Sequence, residues 1–581
     1  MNKELRRMLT NIIEEMKTLG YKYTPEGEII DSKNNKISNI VIIPKYQIRM
    51  EETNEMYAVI SAVIDGCKVI ENIKLPATEL VTIKWIPSYL GLDAIVYPRK
   101  KQEFTLIMKN LFRSVKNKTV FSNTGWIKDT DNNYEYIDYS GGIENTAVDV
   151  CLDEHLSKYS ISREEVNVIN AAKESHNILN IVDKEIAYSL LGLTYLCPLI
   201  EFIGKKIKLP EFTVWLYGFT GTRKTTLAKL MLSHFGDFKN WVPASFNDTY
   251  SSIEIRAHAL KDTLILLDDF CPQQSYKETQ NINTTAEKVI RAFGDRTSRG
   301  RSTVTLENQK KFIPRGMMLI TGETIVPGNS TVARLITLEL KKNSINLEAL
   351  SKAQENSKLL SVSMREYIKW IKREVNSDYN DFLEAIDYIY NEYLKELREN
   401  AIDTHGRSYE AYAFLLLGLN MMYQFFESIG LLTEEETEIE LEESIIEFIN
   451  QIKINHENSK SNDPVELFLN TIKELITTKE ITLKDLENNV IMGNKYKAIT
   501  GFFDSEYFYF NSNDIYGIVR TKLQKSGEYL QLPIRALLKA LADKDIIKVE
   551  EKTNLPKKTI TNSDGSISRV RLLHIKREFL E

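Results

Sequence analysis

The residues whose types and spacing could bind phosphate lie in the segment GFTGTRKTT, which runs from Gly218 to Thr226. Small residues let backbone N–H groups close around phosphate oxygens, a lysine reaches the β- and γ-phosphates, and a hydroxyl binds Mg²⁺. A helix that begins at the end of such a loop directs its N-terminus at the same anion. The predicted nucleotide-binding residues are Gly218, Thr220, Gly221, Thr222, Arg223, Lys224, Thr225 and Thr226.

Arg223 stands where a loop of this kind usually has its second glycine. A Cβ at that position requires a tolerable backbone conformation, and the guanidinium must point away from Lys224 or toward phosphate. The loop alone is therefore also compatible with an ordinary strand–turn–helix that happens to contain a lysine.

Two carboxylates follow an apolar run in LILLDDF, residues Leu264–Phe270. In P-loop enzymes the first acid holds the Mg²⁺, so Thr225 and Asp268 are the predicted metal ligands. Asp269 is predicted to orient or deprotonate the attacking water. The alternative is a pair of acids that ends a buried strand at the surface, and the preceding phosphate loop makes this alternative weaker.

Two further residues follow in the order that such a site needs. Thr321 ends the strand-like GMMLITGE and is predicted to help position the reacting water. Arg334 begins ARLITLEL and is predicted to reach the γ-phosphate held by a neighbouring subunit, as an arginine finger. The competing interpretations are an ordinary strand-ending threonine and a salt-bridged surface arginine.

Short apolar strands alternating with helices must position these residues, which predicts an α/β fold with a parallel sheet covered on both faces. A chain of 581 residues is long enough for several domains. We predict an N-terminal α+β domain at 1–155, the P-loop core at 156–345, a helical region at 346–460 and a C-terminal winged-helix-like domain at 461–581.

Composition excludes some classes of protein. The formal net charge is −6, so no global field attracts nucleic acid, and the four cysteines lack the spacing of a disulfide framework or a zinc site. The apolar stretches Ile186–Ile200 and Ala411–Phe426 are shorter than the roughly 20 residues that span a bilayer, which predicts buried helices. No apolar signal segment begins the sequence, and we expect a soluble cytoplasmic protein with no membrane partner.

The segment Arg291–Arg315 carries seven basic residues and two acidic ones, against the acidic trend of the chain. Such a segment can neutralise nucleic-acid phosphates without reading sequence. The alternatives are a solvated basic loop and arginines that serve a neighbour's nucleotide. A second candidate for DNA contact is the C-terminal helix and hairpin, which could equally bind protein. The predicted nucleic-acid-binding residues are Arg296, Arg299, Arg301, Lys310 and Lys311.

The order of GFTGTRKTT, LILLDDF, LITGE and VARLITLEL resembles the AAA+ ATPases of phages, plasmids and genomic islands. These include the Cch-type self-loading helicases of cassette chromosomes, which are relatives of the MCM replicative helicases. The TGW triplet at Thr124–Trp126 is similar to that family's pattern. The paired acids, in place of Asp–Glu, also resemble superfamily-three viral helicases.

The resemblance implies a homo-hexameric ring that hydrolyses ATP with Mg²⁺ between its subunits and moves on single-stranded or forked DNA. It gives Walker A roles to Lys224 and Thr225, Walker B roles to Asp268 and Asp269, the sensor 1 role to Thr321 and the finger role to Arg334.

Two rival functions stay open at this level. One is an AAA+ ATPase that is not a helicase, such as a loader or a transposition regulator, which would hydrolyse ATP without separating strands. The other is a P-loop phosphotransferase acting on a small molecule, which would need neither a ring nor a basic insertion.

Overall fold

A computed structural model gives the fold of the chain. It describes residues 3–129, 131–144, 148–271, 275–298, 311–326, 331, 333–400, 406–461, 464–488, 490–493, 498–525, 530, 532–550, 553–561 and 567–580. The fold is mixed α/β, and its buried apolar side chains form three large clusters along the chain.

The first cluster belongs to an N-terminal unit built on a five-stranded mixed sheet with the strand order β11-β7-β4-β5-β6. The elements are α1 (Lys3–Thr18), β1 (Lys22–Tyr23), β2 (Ile29–Ile30), β3 (Lys36–Ser38), β4 (Ile40–Met50), β5 (Met56–Ile64), β6 (Lys68–Pro76), α2 (Ala77–Leu80), α3 (Ile86–Leu90), α4 (Lys101–Leu111), β7 (Asn117–Phe121), β8 (Gly125–Lys128), β9 (Tyr134–Asp138), β10 (Gly141–Gly142) and β11 (Asp149–Val150).

The TGW triplet attaches this part of the chain to the central unit. Gly125 has a φ of 91°, and a Cβ there would lie 2.6 Å from the backbone oxygen of Lys261, so glycine is required. The backbone N–H of Trp126 donates to the Asp262 carboxylate at 3.0 Å, and its indole N–H donates to the Pro198 carbonyl at 2.7 Å. The side chain of Trp126 is buried within the central cluster, although we predicted a domain boundary only at residue 155.

The central unit holds a five-stranded sheet with the order β13-β14-β15-β12-β16, in which every pair is parallel. The predicted parallel sheet is therefore confirmed, and helices pack on it. The elements are α5 (Val168–His176), α6 (Lys184–Leu196), α7 (Ile200–Lys206), β12 (Thr213–Tyr217), α8 (Lys224–Leu232), β13 (Ala244–Ser245), α9 (Tyr250–Ala259), β14 (Leu264–Phe270), α10 (Tyr276–Gly294), β15 (Met317–Gly322) and β16 (Leu335–Glu339).

In the described part of the chain, five helices follow and share the central apolar cluster. The predicted helical region is confirmed as helical, and α14 contains the apolar stretch Ala411–Phe426. These helices are α11 (Leu347–Glu355), α12 (Ser357–Ser377), α13 (Tyr379–Asn400), α14 (Gly406–Ser428) and α15 (Glu434–Ser461).

One stretch of the described residues, Lys184–Lys206, is long and apolar enough to cross a membrane. The most apolar 18 consecutive residues of this stretch are 94% buried inside the protein, which agrees with the predicted buried helix.

The C-terminal unit has its own apolar cluster, between three helices and a five-stranded sheet with the order β18-β17-β19-β20-β23. A separate antiparallel hairpin, β21–β22, follows the last helix, as expected from the sequence. The elements are α16 (Pro464–Thr477), β17 (Leu483–Asp485), β18 (Ile491–Met492), β19 (Gly501–Phe503), β20 (Tyr507–Phe510), α17 (Ser512–Lys525), α18 (Ile534–Asp543), β21 (Lys557–Thr561), β22 (Ile567–Arg571) and β23 (Leu573–Lys576).

Candidate functional site

The predicted phosphate loop lies between β12 and α8, at the carboxyl end of the parallel sheet. Clefts at this edge are the usual ligand sites of open α/β sheets. Gly221 has a φ of 88°, and a Cβ at this residue would meet open space. The loop is therefore an open turn at a helix N-terminus, which is the geometry that phosphate oxygens require.

Arg223 precedes α8 in a left-handed conformation, with φ 68° and ψ 22°. Only glycine adopts this conformation without strain, which explains why a glycine is usual here. The side chain of Arg223 is exposed, so the departure from the usual pattern places a cation beside the loop without filling it.

The Lys224 ammonium folds back over the loop. It donates to the backbone oxygens of Gly218 at 2.7 Å and Phe219 at 3.0 Å. Burial lowers the pKa of Lys224, while the nearby carboxylates of Glu323, Asp269 and Asp268 act in the opposite direction. The amine and the acids predicted to share its substrate therefore lie within electrostatic reach of one another.

Asp268 connects the strands around the site. One of its carboxylate oxygens accepts a hydrogen bond from the Thr225 hydroxyl at 2.9 Å and another from the Thr321 hydroxyl. The Thr321 hydroxyl also accepts from the backbone N–H of Asp269 at 3.3 Å. The structure thus brings together the predicted metal ligands and the predicted sensor residue, although their roles stay predictions.

A β-bulge shapes the acidic pair. The register between β14 and β15 shifts between Leu267 and Phe270, so two residues of β14 oppose one residue of β15. Asp269 has a left-handed φ of 68° and is exposed. Its role in activating water stays a prediction.

The donor set fits a magnesium-bound triphosphate. A threonine hydroxyl and a carboxylate are hard oxygen donors, and Mg²⁺ is usually held by one or two carboxylates together with substrate phosphates and water. No group of three or more His, Cys, Asp or Glu side chains that could hold a metal occurs among the described residues, so a pre-built metal cage is not present there. Thr225 and Asp268 are the side chains that would hold the ion.

A cleft of about 620 Å³ opens beside the loop on the side away from β14 and could accept the rest of a nucleotide. It combines apolar and polar side chains with two lysines. Its lining residues are Phe219, Thr220, Gly221, Thr222, Arg223, Lys341, Lys342, Asn343, Ile345 and Leu347.

Sequence reasoning missed Glu323, which lies just beyond β15. Its carboxylate accepts hydrogen bonds from the Thr220 hydroxyl and from the Cys271 thiol, the latter at 3.2 Å. The Thr220 hydroxyl is the main reason that the pKa of Glu323 lies below its usual range. The quoted LITGE motif contains this residue, but nothing in the sequence showed that its side chain meets the phosphate loop.

Arg334 lies at the amino edge of the sheet, since its carbonyl accepts from the Thr213 N–H at 3.0 Å where β12 begins. The phosphate loop follows the opposite end of β12. The Arg334 guanidinium pairs with Asp295 at 2.9 Å, and Arg407 approaches the same carboxylate at 3.5 Å. Within one chain Arg334 and the loop are thus at opposite edges of the sheet, so a finger role requires a second copy.

Of the five predicted nucleic-acid-binding residues, the structure describes two, Arg296 and Lys311. Arg299, Arg301 and Lys310 lie outside the described residues. Lys311 is exposed.

Arg296 makes internal hydrogen bonds to the carbonyls of Pro210 at 2.8 Å, Pro314 at 3.2 Å and Gly316 at 2.8 Å. Burial lowers the pKa of Arg296 to about 10, which leaves the group charged at neutral pH. Its donors tie the base of the basic segment to the sheet, and we leave it out of the proposed DNA contacts.

The N-terminal unit also contacts the end of the basic segment. Glu52 accepts from the His258 imidazole at 2.6 Å and pairs with Arg315 at 3.1 Å. The His258 hydrogen bond is the main cause that lowers the pKa of Glu52, to about 2. This cluster links the β4–β5 turn to α9 and to Arg315, the last residue of the basic segment.

Comparison with solved structures finds one described as "SCCmec type IV Cch - active helicase". It has a TM-score of 0.56 and 12% sequence identity, and the match covers 96% of this chain and 95% of that chain. A structure of JCV helicase with a bound small molecule has 14% identity, covers 44% of this chain and 74% of that chain, and has a TM-score of 0.20, too low to indicate a shared arrangement. No protein-family model and no curated protein sequence matches the chain.

The class that the fold and the site define is therefore an α/β protein with a phosphate loop at the carboxyl edge of a parallel sheet. Over nearly its whole length the chain is similar in fold to the Cch helicase structure.

Proposed function

We propose that this protein is an ATP-dependent DNA helicase or translocase of the AAA+ type, which acts as a homo-hexamer in the replication of a mobile genetic element. The observation that carries the proposal is the network from the phosphate-loop helix through Thr225 and Asp268 to Thr321. Such a network has the donors that a magnesium-bound triphosphate needs. The fold similarity to the Cch helicase over 96% of this chain supports the choice of a DNA motor.

In this proposal Lys224 leaves its contacts with the loop carbonyls and binds the β- and γ-phosphates. Thr225 and Asp268 hold Mg²⁺, which neutralises charge on the phosphates as the terminal bond breaks. Thr321, already bonded to Asp268, orients the reacting water. Preorganised groups of this kind lower the barrier because they need not reorganise during the reaction.

Arg334 would complete the site of the next subunit. Its position at the edge of the sheet opposite its own phosphate loop supports action on a neighbour rather than within the chain. Such a contact is head-to-tail, because it uses two different edges of the subunit. We propose a closed ring because a head-to-tail contact closes only at a fixed number of copies.

DNA would pass along the basic segment that precedes β15. The proposed phosphate contacts are Arg299, Arg301, Lys310 and Lys311. Their positive charges would make DNA binding sensitive to salt. The C-terminal helix α18 with its hairpin is the proposed winged-helix domain and a second DNA contact. We propose a cytoplasmic location because the DNA of the element lies there.

The test is strand separation on a forked duplex by the full chain, with and without ATP and Mg²⁺. ATP-dependent separation that Lys224→Ala abolishes is the expected result. DNA-stimulated hydrolysis without separation would instead support a loader or regulator.

A particle mass of about 400 kDa, six copies of the 67.1 kDa chain, is expected in the presence of ATP. A monomer or dimer that phosphorylates a small molecule would contradict the proposal.

A further inference from the structure

Glu323 occupies a central place in the sheet edge that the proposed function uses. Strand β15 lies between β12, which leads into the phosphate loop, and β14, which carries the acidic pair. At the end of β15, Gly322 is paired with Tyr217 on one side and with Phe270 on the other. The next residue, Glu323, therefore leaves the sheet between the two halves of the site.

The backbone and the side chain of Glu323 are both held. Its N–H donates to the Phe270 carbonyl at 2.9 Å, and the following residue, Thr324, accepts at 3.2 Å from the indole of the buried Trp215. The carboxylate accepts from the hydroxyl of Thr220 in the phosphate loop and from the Cys271 thiol. A carboxylate fixed at both its main chain and its oxygens is preorganised for a chemical role.

Asp269, which the sequence favours for the same role, is placed differently. The bulge in β14 puts it on left-handed backbone with an exposed side chain. Its backbone N–H is bonded to Thr321, and its carboxylate acts on the Lys224 ammonium through charge, but among the described residues it makes no hydrogen bond to the phosphate loop. Two carboxylates do accept hydrogen bonds from the loop: that of Asp268, from the predicted metal ligand Thr225, and that of Glu323, from Thr220.

The position of the reacting water follows from Lys224. The lysine amine marks where the β- and γ-phosphates bind, and the water must approach the γ-phosphorus from the side opposite the bond that breaks. Lys224 already lies against the loop carbonyls of Gly218 and Phe219, and the next loop residue is Thr220. Among the carboxylates that act on the Lys224 ammonium, Glu323 is the strongest, and its hydrogen bond to Thr220 holds it against the same loop. We place it on this basis near the γ-phosphate end of the site.

We propose that Glu323, rather than Asp269, accepts the proton of the attacking water during ATP hydrolysis. The water oxygen forms a bond to the γ-phosphorus, and the bond from that phosphorus to the bridging oxygen breaks, with its electron pair leaving on ADP. The water proton passes to the Glu323 carboxylate and then to the released phosphate or solvent. This inference rests on the proposed function, because it assumes that the chain hydrolyses ATP.

The experiment uses full-length Glu323→Gln, Asp269→Asn and Thr220→Val, with Glu323→Ala as a second form of the first change. Hydrolysis is measured in single turnover, and affinity is measured separately with a fluorescent ATP analogue and Mg²⁺. Loss of a general base typically costs 10²–10⁴-fold, so we expect E323Q to hydrolyse at least about 100-fold more slowly. We expect its nucleotide affinity to stay within about threefold of the wild type, so that ATP stays bound and intact.

Thr220→Val tests whether Glu323 only supports the loop, because it removes the Thr220–Glu323 hydrogen bond and leaves the carboxylate. Gln at position 323 can still accept that hydrogen bond, whereas Ala cannot. If Glu323 only supports the loop, E323A and T220V will lose nucleotide affinity to the same extent, and the turnover of bound ATP will change little. If Glu323 is the base, T220V will raise the KM for ATP and will keep a much larger kcat than E323Q.

Two results would overturn the inference while leaving the proposed function intact. One is a wild-type-like single-turnover rate in both E323Q and E323A. The other is a 100-fold loss in D269N together with a small effect of E323Q, which would assign the proton to Asp269. A wild-type chain that binds ATP and never hydrolyses it would instead overturn the proposed function.

Discussion

The hydroxyl of Thr225 donates a 2.9 Å hydrogen bond to the carboxylate of Asp268, and this contact joins the phosphate-loop helix to a strand two positions away in the sheet. Two motifs that lie 43 positions apart in the chain therefore meet before any ligand binds. Their meeting point is where a divalent ion would be held, which gives the first prediction.

Thr225→Val should raise the Mg²⁺ concentration needed for half-maximal ATP hydrolysis by about tenfold, because it removes one oxygen ligand and leaves the shape of the side chain. The measurement is ATPase rate against Mg²⁺ concentration at saturating ATP.

The matched control is Thr213→Val at the other end of β12. The Thr213 hydroxyl is buried and has no hydrogen-bond partner among the described residues, so the same substitution there should leave the Mg²⁺ dependence unchanged. An unchanged Mg²⁺ requirement in T225V would remove Thr225 from the metal site.

Arg223→Gly should melt at a higher temperature than Arg223→Ala. Alanine keeps a Cβ on left-handed backbone, where a residue other than glycine costs about 1 kcal/mol, and both variants lack the guanidinium. The comparison by thermal denaturation without nucleotide isolates the backbone strain. Equal melting temperatures, or a higher one for R223A, would show that the left-handed turn is not present in solution.

Asp262 should make the stability of the chain depend on pH. Burial raises its pKa to about 6 from an unfolded value near 3.8, despite the neighbouring Lys261. A raised pKa means that the stabilising contribution of the acid form is complete below pH 3.8 and is lost as pH rises through about 6. A shift of two pKa units corresponds to about 3 kcal/mol.

The measurement for Asp262 is the melting temperature of the wild type and of Asp262→Asn between pH 5 and pH 7.5, which brackets the raised pKa. The wild type should lose stability relative to D262N as pH rises. Asp543→Asn, which changes an exposed carboxylate at the end of α18, is the control and should follow the wild type. Parallel curves for the wild type and D262N would contradict the prediction.

Arg334 should act on a neighbouring subunit. Lys224→Ala and Arg334→Ala are each expected to be inactive as ATPases, because an arginine finger typically contributes 10³–10⁵-fold. A mixture of the two proteins should regain part of the activity, since a ring that contains both has some interfaces with an intact lysine and an intact arginine. A mixture that stays inactive, although the two proteins co-assemble, would exclude a role in trans.

Lys310→Ala combined with Lys311→Ala should weaken DNA binding and lower the slope of log affinity against log salt by about 1.5, if both side chains contact single-stranded phosphates. The control with the same loss of charge is Lys101→Ala with Lys109→Ala, two exposed residues of α4. Identical salt titrations for the wild type and the Lys310–Lys311 variant would remove these lysines from the DNA path.

The sequence could predict those residues of the site that parallel strands bring to one edge of the sheet. Apolar runs predicted β12, β14 and β15, and the carboxyl ends of parallel strands lie at one edge of a sheet. Residues at the ends of those runs, such as Thr225, Asp268 and Thr321, were therefore expected to lie close together, and the hydrogen bonds to Asp268 show that they do.

The part that could not be predicted depends on register and long-range packing. The bulge that turns Asp269 outward and the alignment that brings Glu323 to Thr220 follow from the pairing of β14 with β15, which no local pattern reveals. The charge of Arg296 suggested a DNA contact, but its three backbone acceptors come from segments up to 86 residues away. The triplet TGW was recognised, whereas its partner Asp262 was not.

The most direct test of the central claim is an experimental structure of the chain with Mg²⁺ and a non-hydrolysable ATP analogue. We expect a triphosphate in the loop, with a phosphate oxygen about 3 Å from the Lys224 amine and the metal bound at Thr225 and Asp268. A nucleotide bound elsewhere, or a triphosphate whose metal is far from Asp268, would contradict it.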